Sequence, residues 1–343
     1  MQTMTAIGFT KAGLPISDPD SFKTFTEVVP TPSGHDLLVK IIATSVNPVD
    51  VGVRNSGHRD LKKPKVIGWD AYGTVTAIGE DVSLFKPGDK VFYAGSFIRS
   101  GADSQYQLVD ERIVGHAPTK LTPAEIGGMP LTSLTAWEAL FERLKIDRHA
   151  TTTNAKRTIL IINGSGGVGS IATQLAHMAG LNVIASASRP ETIAWVKQNG
   201  ADETVNHRRD LVTEVRSLGY HYVDYILNLN DLDGHWNEIA ELIKPAGKIA
   251  AITENRRGID LQKLTKKCAS FHWEWMYSKS YYHTSDMVTQ HNILDQVAAL
   301  LDQGILHSTV TQTLKPINAD NLREAHAAVE TNHMIGKITI SNE

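Results

Sequence analysis

The chain has 343 residues, a length that suggests about two domains. Its 34 Lys and Arg against 37 Asp and Glu give a net charge of -3, which argues against the basic face that a large nonspecific nucleic-acid footprint needs. Hydrophobic residues at 41% and charged residues at 21% are ordinary globular values and speak against long disorder, while the single cysteine, Cys268, excludes an internal disulfide and a four-cysteine zinc lobe.

The N-terminus, Met1 to Thr5, lacks the basic flank and apolar stretch of a signal peptide. The first third is rich in β signals. Val39 to Thr44 and Gly73 to Gly79 are short, β-branched and bounded by turn residues, and Lys86-Pro87-Gly88-Asp89 is a turn leading into a strand from Lys90 to Ala94. After about residue 130 the texture changes. Arg157 to Ile162 reads as a buried strand, and Ser170 to Ala179 as a helix with Ile171, Leu175 and Met178 on one face, ended by Gly180. The apolar run Ile159 to Ile162 is far shorter than the roughly 20 residues of a membrane span. A strand from Asn182 to Ala187, a helix through Trp195, and strands at Glu203 to Asn206, Tyr222 to Leu227 and Gly247 to Ile252 follow. Strands alternating with helices imply βαβ units and a parallel sheet. A last helix carries Met287, Leu294, Val297 and Leu301 on one face and ends at Gly304. Two β-like pieces, Ser308 to Leu314 and Gly336 to Ile340, resemble the first third and are expected to return to it. The expected division is 1–132, 133–280 and 281–343, the first and last parts forming one domain.

The most informative segment is Asn163-Gly164-Ser165-Gly166-Gly167-Val168-Gly169-Ser170. Gly164, Gly166 and Gly169 form Gly-x-Gly-x-x-Gly after an apolar strand and at the opening of a helix, the context a dinucleotide-binding loop requires. Free amides at the helix start would face a pyrophosphate. About 20 residues on, where NAD readers usually carry an acidic residue, the chain reads Ser188-Arg189-Pro190-Glu191. Arg189 suits a 2′-phosphate, and Ser188 with Glu191 fits a capping box that would assign Glu191 to the helix start. NADP(H) is the expected cofactor.

At this point the chain resembles the medium-chain dehydrogenase/reductase superfamily, in its quinone-oxidoreductase branch and zinc-type alcohol dehydrogenase-like subgroup. The resemblance runs through Asn47-Pro48-Val49-Asp50, Gly68 to Val75, Lys86 to Val91, Leu131 to Trp137, the glycine loop, Gly200-Ala201-Asp202, Pro245 to Lys248 and Ser270 to Met276. It implies an α/β protein with a GroES-like, mostly β catalytic domain wrapped around a Rossmann domain with a doubly wound parallel sheet. It also implies an active site in the cleft and homodimers. Thr135 matches the position near the nicotinamide, His207 one near the adenosine ribose phosphate, and Lys337 one near the cofactor. Asn228, after the fourth strand, is a candidate ribose contact.

Zinc-dependent relatives carry Cys where this chain reads near Asn47, His-Glu where it reads Trp69-Asp70, and a third ligand near Leu131. Asp70 alone remains a plausible ligand, so no zinc is expected. Without a Lewis acid, hydride addition to a quinone or an α,β-unsaturated carbonyl is the expected chemistry. Asn47 is a candidate donor to the acceptor carbonyl, Asp50 a candidate for orienting its neighbours, and Tyr72 or Tyr93 for relaying a proton. The competing reading of Asn47-Pro48 is a turn, and of each tyrosine half-buried packing. Trp69, Phe271, Trp273 and Trp275 are candidates for an apolar wall along a flat substrate, and Cys268 reads as a buried structural thiol. The alternatives are a cofactor-binding redox sensor with little turnover and a zinc alcohol dehydrogenase with atypical ligands. The expected partner is a small-molecule substrate, with no nucleic acid or membrane, in the cytoplasm.

Overall fold

The computed structural model describes residues 2–343. The chain forms two compact units, one made of Met1–Leu134 with Tyr277–Glu343 and the other of Thr135–Met276.

The first unit begins with eight strands. They are β1 (Thr3–Ala12), β2 (Lys23–Val28), β3 (Asp36–Ser45), β4 (Arg59–Lys65), β5 (Ala71–Ile78), β6 (Lys90–Tyr93), β7 (Tyr106–Asp110) and β8 (Gly115–His116). β1 lies between β2 and β4 in a small antiparallel sheet. The long strand β3, with Leu37, Leu38, Val39, Ile41 and Ala43 buried, is the centre of a larger one and pairs with both β5 and β7. β-Branched and leucine side chains suit a pleated surface packed on both faces. Asn47-Pro48 is not a simple turn. Asn47 is the N-cap of the helix Pro48–Arg54, with Pro48 at its first position and Asp50 accepting the Asn47 backbone N–H at 2.8 Å. Proline there loses no helical hydrogen bond.

The second unit carries six parallel strands: β9 (Thr158–Ile162), β10 (Asn182–Ser186), β11 (Glu203–Val205), β12 (Val223–Asn228), β13 (Ile243–Ala251) and β14 (Ser270–Trp273). Their order is β11-β10-β9-β12-β13-β14. The order reverses between β9 and β12, which is the switch point where such sheets bind ligands. All five residues of β9 are buried, as an apolar run in a central parallel strand must be. The glycine-loop helix spans Gly167–Met178, three residues earlier than its apolar periodicity suggests, because the loop glycines themselves form its first turn. Gly180, at φ +82°, turns the chain out of it. Before the sheet, the helix Pro130–Trp137 runs into a π-helical turn, Glu138–Arg143.

The chain then returns to the first unit through β15 (Val310–Leu314) and β16 (Lys337–Ser341). β16 pairs antiparallel with β3 and parallel with β15, completing a seven-stranded sheet whose main path is β15-β16-β3-β5-β6-β8. That unit is therefore discontinuous in sequence. No helix among the described residues is long and apolar enough to cross a membrane.

Candidate functional site

In the second unit the site grows from the end of β9. Asn163, at φ 68°, starts the glycine loop, and its backbone N–H donates to Ser186 Oγ at 2.7 Å. A Cβ on Gly169 would stand 2.4 Å from the Asn163 carbonyl oxygen and 2.7 Å from Gly164 Cα, so this glycine is fixed by backbone packing. A Cβ on Gly166 would meet only the Asn163 side chain, at 3.3 Å. Gly166 caps the helix without a side-chain acceptor, and Gly166, Gly167 and Val168 are part-exposed whereas Gly164, Ser165 and Gly169 are buried. The amides of the helix start are thus open to an anion. Beside the loop, Asn228 at the end of β12 lies in register with Ile162. It is fully buried, and neither its Nδ2 nor its Oδ1 has a partner among the described residues. A buried amide left unpaired at a switch point fits a ribose contact. These residues fit a dinucleotide.

The adenosine end differs from expectation in one detail. Arg189, not Ser188, is the N-cap of the next helix, Pro190–Gln198, and Thr192 Oγ1 accepts the Arg189 N–H at 3.0 Å. The Ser188–Glu191 capping box is therefore corrected. Glu191 instead pairs with Arg189, Nε to Oε1 at 2.8 Å. Ser188 is half-buried. His207 Nδ1 lies 3.1 Å from Ser186 Oγ, and burial first, then His235 and Arg208, lowers its pKa. A neutral imidazole can donate a hydrogen bond to a phosphate but brings no charge. Thr135 is buried in the helix Pro130–Trp137.

Two aromatic expectations, Trp69 and Tyr93, need correction. Phe271, on β14, is half-buried and packs edge-on against Trp236 at 5.6 Å, at the margin of the core of this unit. Trp69 in the first unit is 1% exposed, stacks on Phe97 at 5.2 Å and donates its Nε1–H to Ser96 O at 3.3 Å. Tyr93 is fully buried, its hydroxyl donating to Gln107 Oε1 at 3.0 Å, and burial raises its pKa far above the ordinary phenol range. Neither has a surface or a free donor left for a substrate. Trp273, next to Phe271, is 46% exposed. Cys268, expected to be buried, is an exposed thiol.

In the first unit, Asn47, Asp50, Asp70, Asp103 and Lys337 form a buried polar cluster, none more than 4% exposed. Asp70 Oδ1 accepts the Leu131 N–H at 2.7 Å. Its Oδ2 accepts Ser45 Oγ–H at 2.6 Å, Asn47 Nδ2–H at 2.9 Å and Lys337 Nζ–H at 3.2 Å. The second Asn47 amide hydrogen faces Trp69 O at 3.4 Å, and Asn47 Oδ1 accepts from Lys337. The expectation of an Asn47 amide waiting for an acceptor carbonyl is thereby corrected, since both its amide hydrogens are engaged. Lys337 likewise spends its ammonium on Asp70, Asn47 and the Val46 carbonyl, not on a cofactor.

Asp50 accepts from Asn47 N and Gly68 N, at 2.8 and 3.2 Å, which makes it a fixer of two chain segments. Burial raises its pKa to about 7 despite those bonds and Lys337. Asp103 is pushed well above the carboxylate range by burial and by Asp50, and its Oδ2 has no partner among the described residues. Gly68, at φ +106°, leaves room for it, as a Cβ there would lie 2.6 Å from Asp103 Oδ1. Tyr72, on β5, is 9% exposed, and burial and Glu343 raise its phenol pKa.

This donor set does not fit zinc. The three family positions read Asn47, Trp69 and Leu131, which offer no thiolate or imidazole, and both Asp70 oxygens are already engaged. Among the described residues no three His, Cys, Asp or Glu side chains could hold a metal ion.

Sequence reasoning missed Ser45, Thr44 and Asp103, and it missed the pairing of Lys337 with Asp70 across 267 residues. Local spacing carries no signal for contacts of that separation. It also missed a second buried carboxyl group pair. Glu274, just after β14, is 2% exposed, hydrogen-bonds Glu138 of the π-turn and accepts Arg143 Nε–H at 2.8 Å.

Two family descriptions match the chain. The alcohol dehydrogenase GroES-like domain covers residues 33–131, and the zinc-binding dehydrogenase covers residues 167–290. A zinc-type alcohol dehydrogenase-like protein of Staphylococcus aureus (strain Mu50) is 42% identical over 338 residues, spanning 98% of this chain and 100% of the relative. A chloroplastic quinone-oxidoreductase homolog of Spinacia oleracea is 28% identical, covering 94% of each chain. A crystal structure from Rhizobium etli CFN 42, described as a zinc-dependent alcohol dehydrogenase, is 45% identical with a TM-score of 0.94, covering 100% of this chain and 99% of its own. Together with the six-stranded dinucleotide sheet and the divided β unit, they identify the chain as an oxidoreductase belonging to the zinc-type alcohol dehydrogenase-like family of the medium-chain dehydrogenase/reductase superfamily.

Proposed function

We propose that the protein is a zinc-independent, NADPH-dependent reductase of quinones or α,β-unsaturated carbonyls, active as a homodimer. The observation that carries this reading is the combination of an open glycine loop with a family zinc position whose residues cannot bind zinc. When bound, the nicotinamide supplies the hydride. The chain's own work is to hold it. The amides at Gly167 and Val168 receive the pyrophosphate, Asn228 takes a ribose hydroxyl, and Arg189 forks onto the 2′-phosphate. His207, uncharged, donates to the same phosphate. An acceptor already electrophilic needs no metal to polarise it. Hydride and one proton convert a quinone to its hydroquinone, and the proton comes from water or from the Tyr72 phenol, whose pKa burial raises above the ordinary phenol value. The name of the spinach relative supports a quinone as the acceptor, whereas the names of the bacterial relatives point to zinc chemistry.

The test is NADPH oxidation against a panel of quinones and enones, with enzyme prepared without added metal and assayed with and without a strong chelator. Turnover unaffected by the chelator is expected. Activity that disappears with the chelator, or tight NADPH binding with no acceptor reduced, would refute the reading, the latter in favour of a redox-sensing role.

A further inference from the structure

The family position that zinc would occupy is filled in this chain by something of its own. Lys337, the first residue of β16, is 4% exposed, and Asp70 is fully buried. The ammonium carries three hydrogens and meets three oxygens: Val46 O at 3.3 Å, Asp70 Oδ2 at 3.2 Å, and Asn47 Oδ1. Asp70 is in turn held by Ser45, Asn47 and the Leu131 amide, and Asn47 by Trp69 O. The polar groups around the ammonium join the Ser45–Asn47 stretch, Asp70 and Leu131. Buried charge of this kind survives only when paired and fully hydrogen-bonded.

We infer that the cluster is a cation site whose resident cation is the chain's own Lys337 ammonium, set among the oxygens of Asp70, Asn47 and Val46. The site takes a hydrogen-bonding monovalent cation of the alkylammonium class, because it offers three acceptors converging on one donor centre and a single carboxylate in contact with it. Lys337 is a positioning residue. It fixes the Asn47 amide and the Asp70 carboxylate, and through them the start of the helix Pro48–Arg54 and the turn before β5. The inference deepens the zinc-free reading above and rests on the same donor set.

The test truncates the side chain and returns the cation from solution. Lys337→Ala is expected to lower the unfolding temperature by on the order of 5–15 °C, since one partner of a buried pair is removed. Adding ethylammonium or propylammonium chloride should recover several degrees in Lys337→Ala and nothing in wild type. Matched sodium chloride and propanol controls should recover nothing. Lys337→Met, which fills the stem but lacks charge, should be destabilised and should not respond to amines. Lys337→Met combined with Asp70→Asn should be more stable than Lys337→Met alone, and this comparison stands even if Lys337→Ala does not fold. A Lys337→Met protein as stable as wild type would overturn the inference. So would equal amine response in all variants, or a double variant no better than the single one. These readouts need no turnover. Failure of the reductase reading, seen in the quinone assay of wild type, is a separate result.

Discussion

Arg189 meets an opposite charge one residue beyond the proline that follows it, and this pairing sets what a cofactor phosphate must displace. The Glu191 side chain is 55% exposed, so the ion pair contributes only about 0–1 kcal/mol. A charge-assisted hydrogen bond to a 2′-phosphate is worth about 1.5–3 kcal/mol, so the phosphate wins the arginine. Arg189→Ala should weaken NADPH about 10- to 100-fold and leave NADH nearly unchanged, while Glu191→Gln should tighten NADPH by up to about fivefold. Titration of both cofactors against both variants checks this, and equal losses for NADPH and NADH would remove the reason for assigning NADP(H). Glu274 offers a second test at one residue. Burial first, then Glu138, lifts its carboxyl from the ordinary 4.5 to about 9, although Arg143 opposes this. The folded form therefore keeps a proton that the unfolded chain releases above its ordinary pKa. The stability tied to that proton is fully present below about pH 4.5 and is lost as the pH climbs toward 9, by at most about 1.4 kcal/mol per pH unit. Glu274→Gln, which keeps the shape and a donor toward Glu138, should flatten that slope. An unchanged pH dependence of the unfolding midpoint would contradict the retained proton on Glu274.

At the scale of elements, the loop glycines are expected to separate folding from binding. Gly169→Ala places a methyl against backbone at 2.4 Å, so it should lower the unfolding temperature and disorder the loop. Gly166→Ala meets only a side chain, so the protein should fold normally yet bind NADPH at least tenfold more weakly, because the added methyl stands where the pyrophosphate approaches. Calorimetry beside a binding titration distinguishes the two, and a Gly166→Ala protein with normal affinity would mean that the loop does not hold the pyrophosphate. The elements also show why some of this fold was legible in the sequence. β9 is Thr158 and four apolar residues, all buried, and its short length, β-branched content and the glycine turn after it mark a buried strand. β4, in contrast, reads Arg-Asp-Leu-Lys-Lys-Pro-Lys and owes its strand form to pairing with β1, which no local pattern announces. β2 was missed because its exposed residues, Lys23–Val28, take their strand form from pairing with β1 and carry no buried face. The glycine loop could be read because its spacing is local. Asn47, Trp69 and Tyr93 were read as groups facing a substrate, but which of them would be buried and satisfied depended on Ser96, Gln107 and Lys337, whose partnership leaves no trace in spacing.

For the whole molecule, three buried carboxyl groups, Asp50, Asp103 and Glu274, have pKa values raised by burial, and folding must keep them protonated. Each adds a loss of stability as pH rises. On the acid side, Arg216 holds Glu241 and Thr213 holds Asp210 below their ordinary pKa values, so their contribution disappears as the pH falls through the carboxylate range. The unfolding midpoint should therefore peak near about pH 4 and fall from there as the pH climbs through 7 toward 9. A midpoint that stays level up to pH 9 would show that these carboxyl groups ionise without cost.

The return of β16 to β3 has a consequence for how the molecule is made. A chain leaving the ribosome exposes β3 early, but its neighbour Lys337–Ser341 is synthesised long after it. Until it arrives, the Ala43–Ser45 end of β3 lacks its β16 partner and the oxygens of Asn47 and Asp70 await their ammonium. The parallel sheet from Thr158 to Trp273, whose strands are contiguous in sequence, has everything it needs well before that. Synthesis should thus yield a folded dinucleotide unit while the β unit that precedes it is still incomplete, closing only once β16 has been made. A nascent chain stalled a few residues short of Lys337 should accordingly resist protease from Thr135 to Met276 and be cut readily before Leu134.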